Sequence, residues 1–270
     1  MAVLVTAGLA SAALFIALSG GGGNGAGQAL SQRPGTGAGI QYTRTKSLSL
    51  GIAGNYSQYR PVLITEAWVR PDGSGRLRTT ELPAQWPGPR DRRRAIAAND
   101  DTSLKPTGPA VKNQELASSA AFDEALGGGS FPATDLLSAD PAQLRDQLEA
   151  FVASSGGGPK NVRVFEAGSA VLGKPNTPAP VRAAAFKVIS RLPGAVVDRS
   201  ATDPLGRRTT SASIGSGYTG SYSTETVYFD PKTSLEFAYT DRLTQPEHFI
   251  DSRLLSESVL TKAKGVSSVP

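Results

Sequence analysis

The sequence predicts an α+β fold in which an antiparallel sheet packs one face on a few helices. Strand-like segments come first, helical segments follow, and strand-like segments return at the end of the chain. Short stretches of turn residues join several neighbouring strand segments, as in β-hairpins. The chain lacks the regular alternation of strand and helix that is typical of a parallel sheet. The order of the segments, the turns between them and the lack of regular alternation therefore all favour the α+β class.

An uncharged apolar stretch opens the chain and predicts a membrane-spanning segment. No residue between Met1 and Gln32 ionises, and residues 2–18 are almost all apolar. About 18 residues, each rising about 1.5 Å, just cross a hydrocarbon core of roughly 30 Å. We expect residues 1–19 to be a transmembrane signal anchor. A cleaved signal peptide is the alternative, because Ala17 and Ser19 offer small residues for cleavage.

The remainder of the chain divides into a linker and one domain. Residues 20–39 are glycine-rich and nearly uncharged, which predicts a flexible linker. Residues 40–270 are numerous enough for one domain with a sizeable core. Both interpretations of the N-terminus place this domain outside the cytoplasm, so we expect a single-pass protein of the cell membrane. The net charge of +5 permits contact with anionic lipid or polymer.

Three strands are predicted at the start of the domain. Residues 40–48 are rich in strand formers, and residues 62–69 form a second strand-like run. The turn sequence from Pro71 to Gly75 follows, and residues 76–82 return as a third strand. The second and third strands are therefore expected to form a hairpin.

Residues 83–129 have many turn residues and little apolar periodicity, which predicts that most of this insertion is irregular, with a weak helical signal near residues 114–126. A run of arginines lies within it and is interpreted as a solvated loop. This run consists of Arg90, Arg92, Arg93 and Arg94. Because no aromatic residues are interleaved with these cations, nucleic-acid binding is not expected.

Helices are predicted in the middle of the domain. Asp140 is a candidate N-cap, and Pro141 stands at the first helical position of a segment with apolar residues at helical spacing. Residues 165–172 are expected to be helical, although residues 162–165 also resemble a strand. Residues 180–192 carry an apolar stripe and are predicted to form another helix.

Strand signals return after residue 194. Strands are predicted over residues 195–198, 207–214, 222–229, 235–243 and 252–260. Asp203 and Asp230 immediately precede prolines and are interpreted as turn residues with a structural role.

The chemistry-bearing motifs of the chain do not assemble into a catalytic or metal site. The segment from Gly168 to Lys174 has the spacing GxxxxGK, but Pro175 stands where a phosphate loop needs a hydroxyl and an opening helix. His248 is the only histidine, and residues 99–101 lack the spacing of a calcium loop. The chain has no cysteine, which excludes disulfides and cysteine nucleophiles. We therefore expect no catalytic residue, cofactor or metal.

The aromatic residues of the predicted strands and helices are the candidate binding residues. They indicate either a shared core or a partly open apolar groove between the sheet and its helices. A core and a groove would both place the same residue types on the same face, so the sequence does not distinguish them. The candidate groove consists of Tyr42, Trp68, Phe186, Tyr228, Phe229, Phe237 and Tyr239.

Three short segments resemble a family of actinobacterial membrane proteins that are often encoded near sigma-factor genes. They lie at residues 180–194, 203–208 and 227–234, and residues 66–76 also fit the pattern of the family. The resemblance implies one transmembrane helix and an extracytoplasmic domain similar to the half-barrel of lipoprotein carriers and of regulators that sense envelope stress. It implies a curved antiparallel sheet wrapped over helices, and it implies no catalytic residue.

Anchor, linker and resemblance together predict a non-enzymatic, membrane-anchored extracytoplasmic domain that senses or binds something at the cell envelope, in the setting of sigma-factor regulation. The expected partners are the membrane, through the N-terminal helix, and an envelope protein or a lipid. The alternative is a carrier of lipid or lipoprotein.

Overall fold

The computed structural model confirms an α+β protein with an antiparallel sheet. It describes residues 40–53, 56–86, 88–98, 110–126, 134–153, 158–218, 221–230, 236–245 and 254–266. The predicted anchor and linker lie outside this set. Among the helices described, none has both the length and the apolar character needed to cross a bilayer.

Eight of the nine described strands follow the predicted order with changes of bounds, and the fourth, Val111–Leu116, was not predicted. The nine described strands are β1 (Ile40–Ala53), β2 (Tyr56–Val69), β3 (Gly75–Leu82), β4 (Val111–Leu116), β5 (Val196–Asp198), β6 (Thr210–Tyr218), β7 (Ser221–Phe229), β8 (Glu236–Gln245) and β9 (Leu254–Val266). Every strand pairing between them is antiparallel.

The last strand joins two halves of the sheet. The spatial order is β4-β3-β2-β1-β9-β8-β7-β6-β5, so β9 lies between the first four strands and the next four. The first and last residues of this central pair, Ile40 and Val266, are register partners. At the outer edges, β4 and β5 each pair with one neighbour among the described strands, so the sheet does not close into a barrel.

The predicted hairpin between β2 and β3 is confirmed, and its turn depends on local chemistry. The Asp72 carboxylate accepts hydrogen bonds from the Ser74 backbone N–H (2.9 Å) and the Ser74 hydroxyl (2.7 Å). Gly73 has a φ of 82°, a left-handed conformation that favours glycine. A Cβ atom on Gly75 would lie 1.8 Å from the Trp68 carbonyl oxygen, so only glycine fits beside the opposing strand.

The helices form two groups. Five α-helices are described: α1 (Pro89–Ala97), α2 (Ser119–Ala125), α3 (Pro141–Ala153), α4 (Lys160–Gly173) and α5 (Ala179–Ile189), with a short 3-10 helix at Thr134–Leu136. The predicted cap of α3 is confirmed. The Asp140 carboxylate accepts hydrogen bonds from the backbone N–H groups of Ala142 (2.9 Å) and Gln143 (3.0 Å).

Each helix group builds an apolar cluster on the sheet. Helices α3, α4 and α5 pack together and cover β6, β7 and β8, with Phe165, Phe229 and Tyr239 among the buried side chains. Helix α2 contributes Phe122 to a smaller cluster with Leu77 and residues of β2 and β4. The larger cluster is the principal core of the domain.

Both clusters lie on the same face of the sheet. The ladders connect Tyr239 through β9 to Ser47 of β1. Thr43 is four residues before Ser47, so the two side chains lie on the same side of β1. Thr43 pairs with Ala67, which belongs to the smaller cluster, so this cluster lies on that side too. Tyr42, the neighbour of Thr43, therefore points to the opposite face.

Two local predictions are wrong. The segment 83–129, expected to be irregular, contains α1, β4 and α2. The arginine run belongs to α1 rather than to a loop, and Arg90, Arg92 and Arg93 are exposed on that helix. Residues 162–165, which resemble a strand, belong to α4, where their apolar side chains continue the buried face of the helix.

Candidate functional site

An aromatic pair marks the face of the sheet that lies opposite the two apolar clusters. Tyr42 of β1 and Trp68 of β2 are register partners, and their ring centroids are 5.1 Å apart with a tilt of 42°. Both side chains are buried. Such tilted pairs stabilise a sheet beyond the area that they bury. The packed pair thus stabilises the contact between β1 and β2 on this face.

One carboxylate gathers the polar groups next to the aromatic pair. Glu66 lies two residues before Trp68 on the same side of β2, and the Tyr42 hydroxyl donates to its Oε1 atom at 2.7 Å. Arg44 and Arg78, from the two neighbouring strands, place their Nε atoms 3.9 Å from its two oxygens. Burial, with the hydrogen bond and charge of Glu66, raises the pKa of Tyr42 to about 12. The Tyr42 hydroxyl therefore remains a donor at neutral pH.

Arg76 of β3 covers the tryptophan. Its guanidinium carbon lies 5.9 Å from the centroid of the Trp68 ring, within the range of a cation–π contact. Its Nη2 atom donates to Asn113 Oδ1 at 3.2 Å, and its Nε atom lies 4.0 Å from Glu115 of β4. These contacts hold the guanidinium beside Trp68 and the edge strand β4.

Four cations share this side of the sheet, and we call them the basic face: Arg44, Lys46, Arg76 and Arg78. The side chains of Arg44 and Arg78 are 39% and 44% exposed, so they present hydrogen-bond donors to solvent. The carboxylates of Glu66 and Glu115 lie among them. The described charge of this face is thus predominantly positive.

The arginine-bearing helix α1 adjoins the basic face. The Lys46 Nζ atom donates to Gln85 Oε1 at 3.5 Å, which brings the segment after β3 over this face. Helix α1 begins four residues after Gln85 and contacts β2. Its exposed arginines therefore extend the positive surface.

A second polar group, the buried polar cluster, connects the two helix groups and consists of Asp123, Thr134, Lys174 and Asn176. The Lys174 Nζ atom lies 2.9 Å from Asp123 Oδ1, and both side chains are at most 5% exposed. The Asn176 Nδ2 atom donates to Thr134 Oγ1 at 3.0 Å. Burial lowers the pKa of Lys174, and the charge of Asp123 opposes that effect. This cluster joins α2 to the segment between α4 and α5.

The GxxxxGK segment contributes its lysine to the buried polar cluster and forms no phosphate loop. Gly168 and Gly173 both lie within α4, whose C-terminus, rather than its N-terminus, adjoins Lys174. A phosphate would need free N–H groups at a helix start. The geometry agrees with the sequence argument against nucleotide binding at this motif.

The seven candidate groove residues do not share one surface. Phe186 packs on Phe229 at a centroid distance of 4.0 Å, and Phe229 and Tyr239 are buried in the principal core. Tyr42 and Trp68 lie on the opposite face of the sheet. Tyr228 is partly buried next to Phe229, and alternation directs it away from the core side. The side chain of Phe237 lies outside the described part of the structure, and a groove stays a prediction.

The other candidate residues are placed as follows. Asp203 has the predicted turn role, because its Oδ1 atom accepts the backbone N–H groups of Leu205 and Arg207, each at 2.9 Å. His248 and residues 99–101 lie outside the described residues. In the part of the chain that the structure describes, no group of three acidic, histidine or cysteine residues could hold a metal ion.

The polar residues of the site could have been found from period-two spacing. Arg44 and Lys46 follow Tyr42 at two-residue intervals, as Arg78 follows Arg76. The signal that joins them is the register set by the turn from Pro71 to Gly75. Without that register, a charged residue on a strand is indistinguishable from ordinary solvated surface.

Comparison of the chain with family models, with characterised proteins and with solved structures found no match.

Proposed function

We propose that the chain is a non-enzymatic, membrane-anchored extracytoplasmic domain that binds a partner at the cell envelope and acts as a sensor. The observation that carries this proposal is the convergence of an aromatic pair and partly exposed arginines on the sheet face opposite the two apolar clusters. Arginine, tyrosine and tryptophan are the residue types that most often dominate binding energy at interfaces. The opposite face serves the core, so recognition is assigned to the basic face.

The contacts around Glu66 favour a binding role for this face. The carboxylate accepts a hydrogen bond from Tyr42 and lies 3.9 Å from the Nε atoms of Arg44 and Arg78, so its charge gathers the two guanidinium groups into one array. Guanidinium groups that are already gathered lose less conformational entropy when they meet an anionic group. The array therefore suits recognition of a negatively charged partner.

The apolar N-terminal segment and the family resemblance support the cellular setting. The first 19 residues are expected to hold the domain at the membrane, and the resemblance implies an extracytoplasmic domain linked to sigma-factor regulation. We infer that the unclosed sheet is curved as a half-barrel around its helices. A domain of this kind would report a state of the envelope by gaining or losing its partner.

Affinity purification of the full chain from actinobacterial cells, after mild cross-linking, tests the proposal by mass spectrometry. We expect a stoichiometric envelope or regulatory protein, or a bound envelope ligand. The charge reversals Arg44→Glu and Arg78→Glu together should abolish its recovery. Arg191→Glu with Arg199→Glu makes the same change of charge at exposed positions of the α5–β5 region. This control variant should still recover the partner. If wild type retains no partner or ligand, the proposal is overturned.

A carrier of lipid or lipoprotein is the second candidate, and the arrangement of sheet and helices favours it. Helices that cover one side of an unclosed sheet would hold an acyl chain between the two layers. The packing of Phe186 on Phe229 fills part of that space with protein. Native mass spectrometry distinguishes the candidates: a bound lipid on a cleaved, freely diffusing chain would favour the carrier.

A further inference from the structure

We infer that the basic face docks on the anionic lipid surface of the membrane that holds the chain. This inference rests on the proposed anchoring and names the partner of the proposed binding surface. The occupant is a planar array of phosphate headgroups. Three features of the described residues lead to it: the sign and spread of the charge, the shape of the surface, and its position in the chain.

The charge of the surface is spread over several elements. The four cations of the basic face belong to β1 and β3. Helix α1 contributes Arg90, Arg92 and Arg93, all of which are exposed. Only a few carboxylates accompany them, and Glu66 among these is already engaged by Tyr42. The surface therefore complements a layer of negative charge.

The surface is a sheet face that the segment around Gln85 partly overlies. Neighbouring strands lie about 4.8 Å apart, so β3, β2, β1 and β9 together extend roughly 14 Å across the ladder. Arg76 lies against the Trp68 ring, and Arg44 and Arg78 flank Glu66 across the ladder. Cations spread over such a face can meet several lipid headgroups at once, whereas a single acidic side chain would meet only one or two of them. Attraction to such a surface acts within a Debye length of about 8 Å at physiological salt.

The position of the surface in the chain brings it to the membrane. Residues 20–39 are predicted to be a linker, with a root-mean-square reach of roughly 25 Å for about 20 flexible residues. The structured part begins at Ile40, and Tyr42 and Arg44 follow at once on β1. The strand nearest the anchor is therefore a strand of the basic face. Anchoring makes docking intramolecular, so weak contacts suffice.

The absence of cysteine from the chain allows a direct measurement. The full chain is placed in nanodiscs of phosphatidylcholine, with or without phosphatidylglycerol, whose headgroups carry an acceptor dye. A donor dye is attached at Thr80→Cys, two residues after Arg78 on β3. The control label is attached at Ser200→Cys, in the turn after β5. Energy transfer from each label then reports its proximity to the lipid surface.

We expect transfer from position 80 to rise when phosphatidylglycerol is present and to fall again when salt is raised from about 0.05 M to about 0.5 M. Arg44→Glu with Arg78→Glu should abolish the increase, and Arg44→Gln with Arg78→Gln should reduce it. Arg191→Glu with Arg199→Glu should leave it unchanged. Position 200 should show a smaller dependence on lipid charge. Thermal unfolding of each variant confirms that it is folded.

Equal transfer in both lipid compositions overturns the inference, as does an increase that survives the arginine reversals. If the cross-linked envelope partner is nevertheless captured through the same arginines, the proposed function stands and the occupant is an acidic protein. Failure of the chain to enter nanodiscs removes both the anchor and this inference. That shared failure is recognised by the absence of the chain from nanodiscs, and every other outcome separates the two proposals.

Discussion

The carboxyl group of Glu236, at the start of β8, is buried in the folded protein. Its oxygens pack against the end of α4, where a Cβ atom on Gly173 would lie 3.2 Å from each of them. Burial raises the pKa of Glu236 from 4.5 to about 8. The folded protein therefore favours the protonated carboxyl, which carries no charge into the interior.

This shift predicts a pH-dependent stability. Because the pKa is raised in the folded state, the stabilisation is complete below about pH 4.5 and is lost as the pH rises through about 8. Glu236→Gln, which mimics the protonated form, should flatten the dependence of the unfolding free energy on pH within this window. Urea denaturation at several pH values measures it.

Glu149→Gln is the matched control for Glu236. Lys160 and Arg145 lower the pKa of Glu149. The contribution of Glu149 to stability is therefore lost as the pH falls into the acidic range, the opposite direction from that of Glu236. A wild-type chain whose unfolding free energy does not fall between about pH 4.5 and about pH 8 would contradict the prediction. So would a Glu236→Gln chain that keeps the full slope.

Residue type alone found part of the candidate site. Tyr42 and Trp68 were identified as candidate binding residues because large aromatic side chains dominate cores and interfaces. Glu66 and the arginines were missed, since their meeting depends on strand register over tens of residues. The same holds for Lys174, which meets Asp123 only after three helices are placed. Long-range polar contacts leave little trace in a single sequence.

At the scale of elements, the buried polar cluster couples α2 to the segment after α4. Removing one partner of a buried ion pair leaves an uncompensated charge, which costs about 3–5 kcal/mol. We therefore expect Lys174→Met and Asp123→Asn each to lower the unfolding free energy by about this amount. The double variant should cost less than the sum of the two, because neither charge remains buried alone. Urea denaturation of the four chains measures the coupling.

The exposed pair of Lys160 and Glu149 provides the comparison for this cycle. Their side-chain atoms lie 2.6 Å apart, and the lysine is 60% exposed. Lys160→Met should therefore cost less than about 1 kcal/mol. Additive effects at Lys174 and Asp123 would show that the two residues are not energetically coupled.

Elements with strong local signals were predicted, and elements stabilised by tertiary contacts were not. Helix α3 has an aspartate cap, a proline at its first position and an apolar stripe, so its start was confirmed at Pro141. Helix α1 buries little more than Ala95 and Asp91, and its arginines offer no apolar periodicity. It is supported by contact with β2, which no local pattern reports. The short strand β4 depends in the same way on its partner β3.

At the scale of the whole molecule, β9 is the only described strand that pairs with both halves of the sheet. Deleting residues 254–270 would leave β1 and β8 without a partner on their facing edges. We expect the shortened chain to lose its cooperative thermal transition and to become sensitive to protease, because core formation in either half no longer supports the other. Circular dichroism and limited proteolysis measure both effects.

Deletion of residues 267–270 is the control, because all described ladder pairs remain. A chain without residues 254–270 that unfolds at the wild-type temperature would contradict the assigned role of β9. The antiparallel sheet was predicted from the order of strands and turns. The central place of the last strand was not, since the sequence gives no pairing partner for β9.

The pairing of Ile40 with Val266 also determines how the domain responds to mechanical force. These residues stand at the same end of an antiparallel ladder, whose hydrogen bonds run perpendicular to the strands. Tension between the N-terminal end of β1 and a partner that binds the C-terminal end of β9 would peel the two strands apart one bond at a time. Tension between the N-terminal end of β1 and the opposite end of β9 would act along the strands and load many bonds in shear at once. The domain should therefore unfold at a lower force when it is pulled at the shared end of β1 and β9 than when it is pulled along the strands.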